Sequence, residues 1–133
     1  MQISKLLLGA VFALMLVTSV RAQDEMPKKG MVKVAILYPN GEGKTFDMEY
    51  YATKHMPMAA SLFGDALKMM QIDKGMAGRT PEEPVPFLAA GYFYFDSLAD
   101  YENAFGPNAA QIVGDIPNYT NIQPIVLISE VVR

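Results

Sequence analysis

The stretch FLAAGYFYF, Phe87–Phe95, is a short apolar and aromatic run set between Pro86 and Asp96. A run of this length and composition, bounded by turn residues, reads as a β-strand. Phe87, Ala89, Gly91, Phe93 and Phe95 point one way, and Leu88, Ala90, Tyr92 and Tyr94 the other. Neither set carries a charge. A strand with one wet face alternates apolar and polar residues. This one does not, so both faces of its sheet call for cover.

Working towards the N-terminus, GRTPEEPVP (Gly78–Pro86) reads as an exposed loop and ALKMMQIDKGMA (Ala66–Ala77) as a preceding strand. MVKVAILY (Met31–Tyr38) is the first strand and ends at the turn signal PNGEG. Between these two strands the period changes. Thr45 is placed as an N-cap, with Asp47 and Glu49 in the first turn, and the helix runs to Phe63 with Gly64 as its stop.

Towards the C-terminus, Asp96 or Ser97 caps a second helix that carries Leu98, Tyr101, Phe105, Ala109 and Ile112 at helical spacing. GDIPNYTN is a connector, and IQPIVLISEVV is the fourth strand, again apolar on both sides. The order β-α-β-β-α-β is the ferredoxin-like α+β unit, a four-stranded antiparallel sheet with two helices on one face. Those helices cover one face only. A second copy packed sheet to sheet covers the other, so the sequence predicts a homodimer. The alternative cover, the loop Gly78–Pro86, is too polar for that place.

Residues 1–22 read as a secretory signal, with Lys5 as the positive region, Leu6–Val17 as the apolar region and Val20-Arg21-Ala22 as the cleavage site. The apolar run is too short to span a bilayer. The expected product is exported, periplasmic or secreted, with a tether at 23–30, one domain at 31–133 and no membrane contact after cleavage. Without Lys5 and Arg21 it carries 9 basic and 14 acidic residues, a net charge of −5. No basic stripe survives, which argues against nucleic acid and anionic membranes as partners.

One histidine and no cysteine leave no ordinary zinc site within the chain. No cofactor is predicted, although haem, which needs a single protein ligand, stays open. The chain has neither a dinucleotide nor a phosphate-loop glycine motif. Its serines at 61, 97 and 129 lack a nucleophile elbow.

The single histidine, His55, lies in YYATKHMP (Tyr50–Pro57). At about 100° per residue, Met48, Tyr51, Ala52, His55, Met58, Ala59 and Leu62 share one sector. His55 therefore faces the sheet, with Tyr51 one turn before it and Tyr50 turned elsewhere. Pro57 removes a helical hydrogen bond to the carbonyl of Thr53 and predicts a bend just beyond the histidine. Two readings stand: a pocket group beside the bend, or a core histidine satisfied by a carbonyl or by Tyr51.

The segments Val32–Met58 and Asp96–Val131 resemble the EthD family of dimeric α/β-barrel proteins. Tyr-Tyr-x-x-x-His-x-Pro at Tyr50–Pro57 and GDIPNYTNIQP at Gly114–Pro124 are the most specific stretches. Members are often labelled reductases, and relatives on the same barrel include monooxygenases, isomerases, polyketide cyclases and haem enzymes, so the fold does not fix the reaction. The family often has a histidine where this chain has Asn108, which bears on any mechanism that needs two. The resemblance favours the pocket reading of His55 as acid/base or polarising group, with Tyr51 binding substrate. Asp115 orients the imidazole or serves as a turn cap, and Tyr119 roofs the pocket mouth or staples the connector. Tyr38, Phe93 and Tyr94 suit the walls of a site for an apolar or aromatic metabolite, and equally suit plain core. Two functions follow: an enzyme of the oxidoreductase-labelled or proton-transfer kind, or a non-catalytic binding protein using the same cavity.

Overall fold

In a computed structural model that describes residues 27–133, the sheet is built from β1 (Val32–Pro39), β2 (Leu67–Lys74), β3 (Phe87–Phe95) and β4 (Ile125–Glu130). The expected signal, and residues 23–26 of the tether, lie outside the described residues. The residues just before β1 are tied to the C-terminal end of the chain. The N–H of Gly30 donates to the Val131 carbonyl at 2.7 Å, and the N–H of Val131 donates to Met31 at 2.8 Å, which extends the β1–β4 ladder.

The strands lie in the order β2-β3-β1-β4, every neighbouring pair antiparallel. This is the ferredoxin-like arrangement that the sequence predicts. Val34, Tyr38, Ala89, Phe93 and Phe95 face the helices and form one buried cluster with Tyr51, Met56, Ala59, Phe63 and Ile112.

The other face is less bare than the β3 sequence alone suggests. β1 places Lys33 opposite Tyr94, with its ammonium 4.4 Å from the Tyr92 ring centre. β2 sets Gln71 and Asp73 opposite Tyr92 and Ala90. Neighbouring strands thus bring polarity to a face that β3 leaves apolar. The edge strand β4 has no such cover: Ile125, Val126, Leu127 and Ile128 are 44–55% exposed, on both faces.

The first helical unit departs from the expected helix in two ways. Its N-cap is Asp47, in extended backbone, whose carboxylate accepts the Tyr50 N–H at 3.0 Å. Thr45 lies two residues before that cap; its N–H donates to Asn121 and its carbonyl accepts the Thr120 hydroxyl at 2.7 Å. Secondly, α1 (Met48–Tyr50) and α2 (Met56–Phe63) are joined by a π-helical turn, Tyr51–His55, in which the Met56 N–H reaches back to the Tyr51 carbonyl.

Pro57 has no N–H and crowds the carbonyl four residues back, so the preceding turn widens and takes in one extra residue. The disturbance expected at Pro57 takes the form of a widened turn. The extra residue shifts the helical phase by one. Met56, Ala59 and Phe63 are buried, while the expected Met58 and Leu62 are only half-buried. Gly64, at φ 58°, ends α2 in left-handed backbone that suits glycine.

The second unit runs through α3 (Leu98–Phe105), a 3₁₀ turn at Gly106–Asn108, α4 (Ala109–Gly114) and a 3₁₀ turn at Ile116–Asn118. Ser97 caps α3 by accepting the Asp100 N–H at 3.1 Å. The connector that follows is sewn to the loop before α1. Besides the Thr45 contacts, Asp47 donates its N–H to the Tyr119 carbonyl at 2.8 Å, and Asn121 donates to the Gly43 carbonyl at 2.9 Å. This stitching sets Asp115 and Tyr119 beside the π turn.

Candidate functional site

The π turn is where two adjacent side chains, His55 and Met56, are both buried. An ordinary α-helix turns neighbours about 100° apart; the extra residue lets both enter the same space. His55 Nδ1 lies 2.8 Å from Asp115 Oδ2, across 60 residues of sequence. Asp115 takes two further hydrogen bonds on its other oxygen: the Tyr50 hydroxyl and the Asn118 amide both donate to Oδ1, at 2.8 Å each.

The electrostatics follow from these contacts. Burial alone pushes the Asp115 carboxyl up, but the bonds from Asn118, His55 and Tyr50 outweigh it and hold the group below the usual carboxylate range. Asp115 is therefore an anion and an acceptor, so the hydrogen on His55 sits on Nδ1. Burial pushes the imidazole below its ordinary value, and the Asp115 carboxylate only partly restores it. The close contact looks like an ion pair, yet desolvation prevails and the ring is neutral at neutral pH. Nε2 then carries a lone pair, and among the described residues no side chain or backbone group is bonded to it.

The imidazole is one wall of a cavity of about 240 Å³ between the helices and the sheet. Nδ1 is turned to Asp115, which is not a wall, so the ring edge that carries Nε2 is the one left for the cavity. His55 lines it with Tyr51, Met56 and Phe63 from the first helical unit, Val34, Ile36, Tyr38 and Phe93 from the sheet, and Tyr101, Phe105 and Ile112 from the second unit. Val113, Gln123 and Val126 stand at its exposed rim, beside the edge strand. No lining side chain is an Asp, Glu, Lys or Arg.

The expected site residues divide. His55 and Asp115 meet, which is one of the two readings of Asp115, and Tyr38 and Phe93 are cavity walls. Tyr51 stacks with the imidazole, with ring centres 5.6 Å apart and planes 15° off parallel. Its hydroxyl, however, is enclosed and has no hydrogen-bond partner, pressed against Gly91 where any Cβ would overlap it. The ring forms wall, and the hydroxyl does not reach into the cavity as a substrate donor.

Tyr94 is not a wall. It pairs with Lys33 and Met69 on the opposite face of the sheet, because β3 alternates and Phe93 takes the helix side. Tyr119 does not roof the mouth. Its ring packs on the imidazole, with centres 4.5 Å apart, and its hydroxyl is bonded to that of Tyr38 at 2.6 Å. It is the staple of the connector. Asn108 is spent on the helix joint, donating to the Ala104 carbonyl at 2.8 Å and more weakly to Leu62 at 3.4 Å. It does not line the cavity.

Sequence reasoning missed Tyr50 and Asn118, the other two holders of Asp115. The helical wheel turned Tyr50 away from the cavity, correctly, but gave no sign that a carboxylate waits there. Asn118 carried one weak signal, its turn-favouring residue type three positions after Asp115.

Residues 40–123 match the EthD domain. The solved structure of an EthD-like protein from Ralstonia eutropha JMP134 is 42% identical, with a TM-score of 0.75, over 80% of this chain and 96% of that one. An ethyl tert-butyl ether D (EthD) family protein from Bacillus halodurans C-125 is 21% identical, with a TM-score of 0.51 over 76% and 98% of the two chains, a likeness of fold alone. No curated protein matches the chain.

Proposed function

The chain belongs to the EthD family, and from that premise we propose that it takes an apolar or aromatic small molecule into the cavity beside His55 and moves a proton there. The observation that carries this reading is the Asp115–His55 pair. With Nδ1–H held by the carboxylate at 2.8 Å, Nε2 is presented to the cavity as an acceptor. A base whose ordinary value lies near neutrality, lowered by burial, is unprotonated at working pH and ready to take a proton. The imidazolium so formed is stabilised by Asp115, and the apolar walls keep that interaction strong by excluding water. Proton transfer is the step His55 performs by itself. A reaction of the oxidoreductase class, as the family label suggests, would draw on the same step.

A binding protein without turnover uses the same geometry, and one observation favours it. No carboxylate lines the cavity, and the Tyr38 and Tyr51 hydroxyls are bonded or sealed, so His55 has no second proton-transfer group at hand. Native mass spectrometry on protein from its own host identifies a co-purifying ligand. Exchange of that ligand's carbon-bound acidic hydrogens in D2O, followed by NMR, then separates the two functions. His55-dependent exchange supports catalysis; capture with no exchange supports binding alone.

Two further proposals complete the account. The exposed apolar residues of β4, Ile125 and Leu127 on the open face among them, support a sheet-to-sheet homodimer. Residues 1–22 support export, and intact mass of the native protein should show an N-terminus at Gln23.

A further inference from the structure

We infer that the cavity accepts an uncharged, single-ring molecule bearing a weakly acidic hydroxyl, a phenol or an enol, seated with that hydroxyl on His55 Nε2. The inference rests on the reading of this cavity as the functional site. Size comes first. At about 240 Å³ the space exceeds the ~150 Å³ that holds benzene in an apolar protein cavity. It falls short of the roughly 300 Å³ at which pockets for larger ligands begin. One ring with a short substituent fits.

Charge comes next. An anionic ligand would find no cation on the walls, and the negative Asp115 sits directly behind the imidazole. A cationic ligand would find no free anion, because Asp115 lies beyond the histidine ring with both oxygens occupied by Tyr50, Asn118 and His55. Burying either charge here without a partner is costly. The ligand is therefore neutral.

Polarity then fixes the donor. The hydrogen held by Asp115 on Nδ1 leaves Nε2 as an acceptor, so the ligand must bring the hydrogen. The walls supply flat apolar faces for a ring: Phe63 meets Phe93 edge to face at 5.0 Å, and Tyr101 stacks on Phe105 at 5.5 Å. A hydroxyl attached to such a ring is acidic enough to share its proton with an imidazole.

The test is calorimetric titration of the full chain with 4-ethylphenol, 4-ethylanisole, 4-ethylbenzoate and 4-ethylbenzylamine. The phenol should bind about tenfold more tightly than the anisole, which matches its shape but lacks the donor. The benzoate and the benzylamine should bind more weakly than both. Lowering the pH from about 7.5 to below the His55 midpoint, read from its NMR titration, should weaken phenol binding, since the imidazolium cannot accept, while the phenol stays neutral below its ordinary value of about 10. His55→Phe should erase the preference for phenol over anisole, and the wild-type pH series stands as an independent readout should that variant not fold. Equal affinity for phenol and anisole, tighter binding of either charged analogue, or phenol affinity indifferent to pH would overturn the inference while leaving an occupied cavity. Binding of none of the four at millimolar concentration would overturn the cavity reading with it.

Discussion

Tyr50 and His55 hold opposite oxygens of one carboxylate, the tyrosine hydroxyl on Asp115 Oδ1 and the imidazole Nδ1 on Oδ2, each at 2.8 Å. The arrangement makes Asp115 a positioning residue whose own orientation is held from both sides. Asp115→Asn removes the charge that raises the imidazole towards its ordinary value, so the titration midpoint of His55 should fall further below 6.5. Tyr50→Phe frees Asp115 to interact more fully with the imidazole, so the midpoint should rise. The chain has a single histidine, and its imidazole signals in an NMR titration read both shifts without ambiguity. Midpoints moving in the same direction in the two variants would refute the arrangement.

Acid should destabilise the fold in two stages. His55 is lowered in the folded state, so the unfolded chain takes up its proton first as pH falls below about 6.5, and the stability this group contributes is lost through the folded midpoint. Asp115, lowered from 3.8, has the same sign at lower pH. Urea melts of the wild type should show a stability loss between about pH 7 and pH 5 that is reduced in His55→Phe. A wild-type protein that gains stability over that interval would contradict the sign.

The unpartnered Tyr51 hydroxyl gives a third prediction. Tyr51→Phe should cost nothing or stabilise slightly, because no hydrogen bond is lost and a buried polar atom is removed. Tyr38→Phe breaks the 2.6 Å bond to Tyr119 and should cost about 1 kcal/mol. Gly91→Ala should destabilise by roughly 1–3 kcal/mol through overpacking, since its Cβ would overlap the Tyr51 hydroxyl. Tyr51→Phe should recover part of that loss in the double variant. Thermal melts of the four proteins check the set, and additive effects at positions 51 and 91 would refute the contact.

The proposed pairing of sheets is tested at Leu127, 55% exposed on the open face opposite Ala35. Light scattering should report a dimer for the wild type at micromolar concentration and a monomer for Leu127→Lys, which would place a charge in the proposed seam. A wild-type monomer would sink the proposal.

How much of this was legible beforehand depends on what the residues encode. The fold was legible because β3 and β1 are strongly patterned and the two helical stretches carry clear period and stop signals. Ser97 and Gly64 mark their ends as expected. The phase of the first helix was not legible beyond His55, because a π turn obeys no sequence period. Pro57 pointed to a disturbance there without saying that a residue would be added. In the site, the sequence offered the His55–Asp115 pair as one of two readings of Asp115 beside a turn cap, and the tertiary hydrogen bond decides between them. Tyr94 and Tyr119 were misplaced for different reasons. Strand alternation alone sends Tyr94 away from Phe93, whereas the place of Tyr119 depends on stitching between Thr45, Asp47 and the connector that no local pattern shows. Tyr50 needed tertiary contact to reveal its partner.

The central claim is that His55 is a neutral base, held by Asp115 with Nε2 turned to the cavity. Long-range 15N–1H NMR of the single imidazole tests it most directly. The account predicts the tautomer with hydrogen on Nδ1 at pH above the midpoint, and a midpoint below 6.5. An imidazole carrying its hydrogen on Nε2, or one still protonated at neutral pH, would contradict it.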